Sequence, residues 1–320
     1  MRRFLLTYMI GMLAFSFVSC ERESSLRPDG KVKVNCNVNL ATKAVSDISD
    51  EIEVLDVLVF MAETGELLSY DRVKEGSISL YFQRGILHHC CFFVNAPEGE
   101  FSDISRYDEL LQKVSQLSDN AEHFVMQSMM SRMFVTDGNL DVTVSRLCSK
   151  ITVDNIEPKF MDTGISQSEV VFKRMFLMNV PASISYEGKP DASAVILNKT
   201  GYDQSLSKDV LGLISKEFNH NIESSEIIDV DSSLYCYSAD MDEEAVSSTK
   251  LVLELEISGS PNYYTVLFPK LKPNYEYHIE TVSLLGFGSG TPGEVFDRTE
   301  VSMTVSVNPW GATDKDAVMN

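Results

Sequence analysis

Positive charge is scarce in this chain. Its 320 residues carry 27 Lys and Arg against 47 Asp and Glu, a formal net charge of −20. Counterion-release binding to nucleic acid needs a basic surface, and so does docking on an anionic membrane through a basic patch. The charge balance argues against both. Cysteine is scarce too: six in 320 residues are too few for a disulfide scaffold. Histidine numbers five. His88 and His89 are adjacent and so face opposite sides of a strand, where they cannot share a metal. His123, His220 and His278 are scattered, and there is no His-Glu-x-x-His. The carboxylate runs at Asp47 to Glu53 and Asp240 to Glu244 lack the alternating oxygens and fixed Gly of a calcium loop, and read as solvated loops. No metal and no cofactor is expected. The rest of the composition, 44% hydrophobic and 23% charged, is that of a globular protein. The length fits roughly two domains of about 150 residues.

Long hydrophobic runs are absent except at the start. Arg2 and Arg3 precede an apolar stretch from Phe4 to Val18, which ends at Ser19-Cys20. That stretch is short for a membrane span, which needs about 20 residues, and suits the h-region of a secretory signal peptide. Phe17-Val18-Ser19-Cys20 resembles a bacterial lipobox, although the usual Leu three places before the Cys is absent. The expectation is a signal peptide over residues 1–20, with Cys20 acylated as the mature N-terminus. Glu21 to Gly30 then reads as a flexible tether. Multiple acyl chains would give stable anchoring. Five Cys remain after Cys20, and each except one of the adjacent pair Cys90 and Cys91 sits in an apolar, strand-like pattern. They read as buried free thiols; disulfide connectivity cannot be read from a sequence.

The remainder is patterned as strand. Lys31 to Leu40 alternates strictly, with Val32, Val34, Cys36, Val38 and Leu40 on one face and Lys or Asn on the other. Val54 to Met61, Ser77 to Phe82, His88 to Asn95, Leu140 to Ile156, Val170 to Met178, Ser233 to Tyr237, Lys250 to Ile257, Tyr263 to Pro269 and Tyr275 to Leu285 are β-branched or aromatic runs. Val301 to Val307 alternates again, with Val301, Met303, Val305 and Val307 on one face. Helix is expected only over Ser105 to Leu117 and, more weakly, Ser205 to Ser215. Strands without alternating helices indicate a mainly β protein made of sandwiches, with one or two short helices in connections. Asn155 to Gly164 is the natural boundary, dividing the chain into 31–157 and 158–320. The Gly-rich Gly286 to Gly293 opens no helix and so is no phosphate cradle. Tyr263, Tyr264, Tyr275 and Tyr277 could line a sugar platform, but pack more simply at a core edge.

Several stretches resemble one family. Tyr263 to Pro269 with Leu271, Asn274, Tyr277 and Ile279, the Gly286 to Gly290 loop before Pro292, and Val305 to Asn308 closing on Pro309-Trp310 are similar to fimbrillin-like subunits of type V pili. So are Leu234 to Tyr237 (with Ser238 departing from the pattern), Phe93 to Pro97 and Ser145 to Ile151. The lipoprotein branch, the fimbrial anchoring subunits, is the nearest part of that family. The resemblance implies two transthyretin-like β-sandwich domains, no catalysis, and assembly by strand exchange with stalk pilins at the outer membrane surface. In the resembled stalk subunits an Arg-specific protease removes the first strand, and a neighbour's C-terminal strand fills the groove. The assembly residues would then be Val32, Val34, Val38 and Leu40 in the first strand and Val301, Met303, Val305 and Val307 in the last.

The chain has no Arg between Arg27 and Arg72, and the loop after the first strand offers only Lys43. An Arg-specific protease would leave Lys31 to Leu40 in place, tying a lipidated Cys20 to the body as an anchor requires. A surface lipoprotein that binds glycan or host protein, including a tip adhesin, is the alternative, and a shared fold alone cannot separate the two.

Overall fold

A computed structural model describes residues 30–41, 48–160, 170–222, 227–238, 248–268, 270–294 and 301–311. Cys20, Lys43 and the run from Asp240 to Glu244 lie outside the described residues. Among the described residues no helix is long and apolar enough to cross a membrane.

The first half is one seven-stranded sheet. Its strands are β1 (Lys31–Leu40), β2 (Leu55–Met61), β3 (Leu67–Val73), β4 (Ser77–Gln83), β5 (Leu87–Val94), β7 (Met126–Met133) and β8 (Gly138–Arg146). They are ordered β3-β2-β5-β7-β8-β1-β4. The seam between β7 and β8 is thin, just Met126 opposite Arg146 and Gln127 opposite Ser145. There the sheet turns over into two layers. The rings of Phe82 on β4 and His88 on β5, from strands far apart in the sheet order, meet at 5.3 Å between centroids. The strict alternation of β1 has its reason here, because Val32, Val34, Cys36 and Val38 are buried in that core while the intervening residues are exposed. β2 is buried on both faces over six of its seven residues, Asp56 among them, as its apolar run from Val57 anticipates.

The second half has two four-stranded sheets. One runs β14 (Ser215–Asn221), β10 (Val170–Met178), β16 (Lys250–Ile257), β17 (Ser260–Leu267). The other runs β15 (Ile228–Cys236), β9 (Ser149–Pro158), β18 (Tyr275–Leu284), β19 (Val301–Pro309). Two small pairs complete the structure, β6 (Val114–Gln116) with β12 (Ser183–Ser185) and β11 (Val180–Pro181) with β13 (Ile196–Leu197). The first of these ties the two halves together.

Three expectations change. The run from Leu140 to Ile156 is two strands, broken at the buried pair Leu147 and Cys148, and they belong to different sheets. β8 lies beside β1, whereas β9 lies between β15 and β18. The change of sheet therefore comes before the Asn155 to Gly164 turn, and Ser149–Pro158 pairs with the second half. A continuous apolar run hides such a break because both ends are buried. The helix expected over Ser105 to Leu117 is a single turn, α1 (Tyr107–Leu110). Glu109 caps it by accepting from the backbone N–H groups of Ser105 and Arg106 at 2.8 and 3.0 Å. Val114 and Ser115 then leave the helix to pair with Ser185 and Ile184 of β12, a tertiary contact that outweighs local helical spacing. The second helix, α2 (Lys208–Ile214), forms within its expected range, capped by Ser207 Oγ accepting from the Val210 N–H.

Candidate assembly site

The first strand is held on both sides. β1 pairs antiparallel with β4 from Lys31↔Gln83 to Asn37↔Ser77, and parallel with β8 from Val34↔Gly138 to Leu40↔Val144. Val32, Val34 and Val38 are buried, and Leu40 is half-buried at the end. Its outer face carries a side-chain ladder across three strands. Ser79 Oγ donates to Asn35 Oδ1 at 2.8 Å, Asn35 Nδ2 to Asn139 Oδ1 at 3.2 Å, and Asn37 Nδ2 to Asp141 Oδ1 at 3.3 Å. Burial of the four inner side chains is worth about 1.5–3 kcal/mol each before ordering costs. Arg72, the first Arg after Arg27, lies within β3. Its guanidinium contacts the buried Asp56 carboxylate at 2.6 Å and donates to the Ala96 carbonyl at 2.9 Å.

The last strand is held on one side. Among the described residues β19 is an edge strand paired with β18 alone, antiparallel from Leu284↔Val301 to Tyr275↔Pro309, with a bulge between Ile279 and Val282. Val301, Met303 and Val305 are half-buried against the core. Val307 keeps 45% of its surface in solvent, so it fills no slot here although it shares the phase of the other three. An edge strand is covered by a neighbour on one side only. The strand thus folds back onto its own sheet.

Its end is fastened more firmly than its middle. Trp310 is fully buried between the halves. Phe124 meets it edge-on at 4.8 Å, Tyr235 stacks at 5.6 Å, and the Arg146 guanidinium lies 4.4 Å from its ring centre. Arg146 also donates from Nε to Asp50 Oδ1 at 2.8 Å and from Nη1 to Asn274 Oδ1 at 3.0 Å. Asn274 adopts φ of 60°, which Asn tolerates better than most residues. In that conformation its N–H donates to the Cys148 carbonyl and its carbonyl accepts from the Trp310 N–H, at 2.8 and 2.9 Å. Three residues quoted separately from the sequence, Arg146, Asn274 and Trp310, therefore form one knot at the junction. Phe124, Asp50 and Tyr235 complete it, and no spacing in the sequence announces them.

The same junction holds Tyr237. Its hydroxyl donates to the Gln116 carbonyl at 3.0 Å, accepts from Asn120 Nδ2 at 2.7 Å and lies 2.8 Å from Ser115 Oγ. Burial raises its pKa well above the ordinary phenol range. Nearby an open cavity of about 330 Å³ is lined by Glu53, Asn95, Asp119, Glu122, His123 and Asp209.

Other candidates do not assemble into sites. Tyr264 and Tyr277 are buried and hydrogen-bonded to backbone, while Tyr263 and Tyr275 are half-buried, so the four form no sugar platform. Gly288 sits where a Cβ would come within 2.8 Å of the Tyr263 carbonyl oxygen. The loop there seals part of the open edge of β17 through paired bonds between Ser289 and Tyr263. All five described Cys are free and buried. Burial pushes Cys36 up to about 11 and Cys90 and Cys236 up to about 12, so these thiols are poor nucleophiles. His88 is buried in the core, His89 stacks on Tyr107 at 4.2 Å, and His278 Nε2 lies 2.7 Å from Asp154 Oδ2. Among the described residues no group of three His, Cys, Asp or Glu is placed to hold a metal.

Solved structures share this arrangement. A candidate cell adhesion protein of Bacteroides eggerthii superposes with a TM-score of 0.65 at 16% identity, covering 89% of this chain and 97% of its own. The chain shares the fold of that protein. A candidate cell adhesion protein of Parabacteroides distasonis gives 0.61 at 16% identity, over 88% of this chain and 97% of its own. The tip fimbrial protein Mfa3 of Porphyromonas gingivalis, solved with a C-terminal truncation, gives 0.52 at 15% identity, over 88% and 100%. No family model and no curated protein matches the chain. The fold expected from the resemblance, mainly β sandwiches with short connecting helices, is thus the observed one.

This fold has a polarity. β8 starts at Gly138 beside Val34 and ends at Arg146 in the knot, nine residues or about 30 Å later. The N-terminal end of β1 and the second half therefore lie at opposite ends of the first sandwich.

Proposed function

We propose that the chain is a non-enzymatic cell-surface lipoprotein that anchors a fimbria to the outer membrane. Acyl chains on Cys20 hold it in the membrane, and stalk pilin joins it by β-strand complementation. The observation that carries this reading is the contrast between the ends. β1 continues from the tether and is paired on both sides, so a pull on the fimbria is carried between Cys20 and a strand held by two ladders. β19 belongs to the second half, has one neighbour and exposes Val307. Edge strands are the usual material of strand exchange.

The test uses the native cell. N-terminal mass analysis of membrane-bound protein should find acylated Cys20 with residues 31–40 still attached. Val305→Asp should leave the protein in the membrane while fimbriae are shed into the medium. A mature chain beginning near Lys43 or Ala44 would turn the reading towards a stalk subunit. A second reading, a tip adhesin or a surface protein binding glycan or host protein, is favoured by one feature: β19 lies on its own β18 with Trp310 buried. If Val305→Asp destabilises the monomer and fimbriae stay attached, that second reading stands.

A further inference from the structure

The first sandwich has an apolar tip. Ile86, Leu87, Met133 and Val135 are between 38% and 56% exposed. They cluster, because Leu87 and Met133 are register partners and the Gly85 N–H donates to the Phe134 carbonyl at 2.9 Å. Two connections between the layers, β4–β5 and β7–β8, thus offer apolar side chains side by side, where turns usually carry polar ones.

The chain leaves the sandwich at this same tip. The Arg84 N–H donates to the Gly30 carbonyl at 2.9 Å, and the Lys33 N–H donates to Asp137 Oδ1 at 3.0 Å. Ten residues separate Cys20 from Gly30, a reach of at most about 35 Å. The local charge also departs from that of the whole chain. Lys31, Lys33, Arg84 and Arg132 are exposed around the tip, against Asp137 and the Glu63 and Glu66 of the adjoining β2–β3 turn. Among the described residues cations here number four against three acids, in a chain where acids outnumber them 47 to 27. The overall balance excludes a basic surface, yet leaves this one end able to meet anionic headgroups.

We infer that this tip is a lipid-contacting surface: Ile86, Leu87, Met133 and Val135 enter the headgroup boundary of the membrane, flanked by Lys31, Lys33, Arg84 and Arg132. The inference rests on the anchor reading for its choice of occupant, since an acylated Cys20 would hold this end at the bilayer. Apolar side chains rimmed by cations are the chemistry of interfacial binding. The contact would stand the first sandwich upright, with the second half pointing away from the surface.

Vesicle co-flotation of the chain from residue 21 onward, which carries every described element and no acyl chain, tests this apart from lipidation. The probes are phosphatidylcholine vesicles and mixed phosphatidylethanolamine–phosphatidylglycerol vesicles. The protein should float with both, more with the anionic mixture. Leu87→Glu with Met133→Glu should lower the bound fraction by about tenfold or more, because each change removes apolar contact and turns a charge towards lipid. Val195→Glu, at an exposed apolar residue of the second half, should change nothing. Unchanged thermal stability of the double variant would show that its fold is intact. Absence of flotation, or equal flotation of all three proteins, would overturn the inference. So would loss of self-association by the double variant with no vesicle binding, since the tip would then be a contact between protein copies. Acylation of Cys20 is read separately by mass, so either idea can fail without the other.

Discussion

Replacing Trp310 with Ala tests whether β19 is latched by its end. The native ring is fully buried against Phe124 and Tyr235, with Arg146 over its face. Large-to-small changes at buried aromatic sites cost about 3–5 kcal/mol. Loss of the desolvated cation–π contact accounts for about 1–2 kcal/mol of that. Little relaxation is available, because Arg146 is fixed by Asp50 and Asn274. Urea unfolding of the monomer should show the loss as a lower midpoint with an unchanged slope. A second readout separates a latch from mere packing. Hydrogen exchange over Val301–Pro309 should accelerate far more than exchange over Lys31–Leu40, because one strand is released and the other remains paired on both sides. A labelled peptide of residues 301–311 should then enter the vacated edge of β18 in the variant and not in the wild type. A stability loss under about 1 kcal/mol, or equal acceleration in the two strands, would refute the latch.

Other outcomes follow from the same contacts. Val34→Asp should prevent folding, since it places a charge in the core between β4 and β8 at a cost of several kcal/mol; a soluble, cooperatively melting variant would contradict that placement. Asn35→Ala with Asn37→Ala should cost only about 1 kcal/mol, because the ladder is solvent-exposed; circular-dichroism melts would read it. Burial lowers the pKa of His88, so the unfolded chain binds its proton more readily than the folded one. His88 therefore contributes stability above the ordinary histidine range that is lost as pH falls through its lowered folded-state pKa. His88→Phe should flatten the acid limb of a plot of melting temperature against pH; an unaltered limb would show that other groups set it.

Much of the strand content is legible because period-2 burial leaves a direct trace. β1 alternates in the sequence as it does in the structure, β19 does so as far as Val305, and β16 begins and ends where expected, at Lys250 and Ile257. Three longer strands leave no such trace. β7 reads Met-Gln-Ser-Met-Met-Ser-Arg-Met, with low β-propensity and no clean alternation. β3 is half-buried at nearly every position, and β14 is a mostly polar edge. The candidate site is half legible for a related reason. The inner faces of β1 and β19 can be listed from local pattern, but whether each is filled depends on neighbours brought in from far along the chain. Val307 shows the limit: it has the right phase and lacks the cover. The knot around Trp310 joins residues 50, 124, 146, 235, 274 and 310, separations that no local pattern spans.

The two terminal strands have the same local grammar and opposite mechanical roles, and topology explains the difference. A force directed along the tether reaches β1 at Lys31, which pairs with Gln83 on one side, while the parallel ladder to β8 begins three residues further on. Because β1 is paired on both flanks, pulling its end loads two ladders in shear, and four buried side chains move only if both ladders fail. β19 pairs through one flank, so a force from the C-terminal side meets the Trp310 knot first and then peels the strand one residue pair at a time towards Val301. Peeling breaks few bonds at once, so the knot is its main barrier. An anchoring subunit of the kind proposed above needs β1 to outlast β19 in this way. Single-molecule pulling between the two termini would reveal it as one barrier at the knot, followed by an early low-force release of roughly 30 Å of chain from the nine residues of β19, before the first sandwich yields. A single high-force event with no early extension would place the weak element elsewhere.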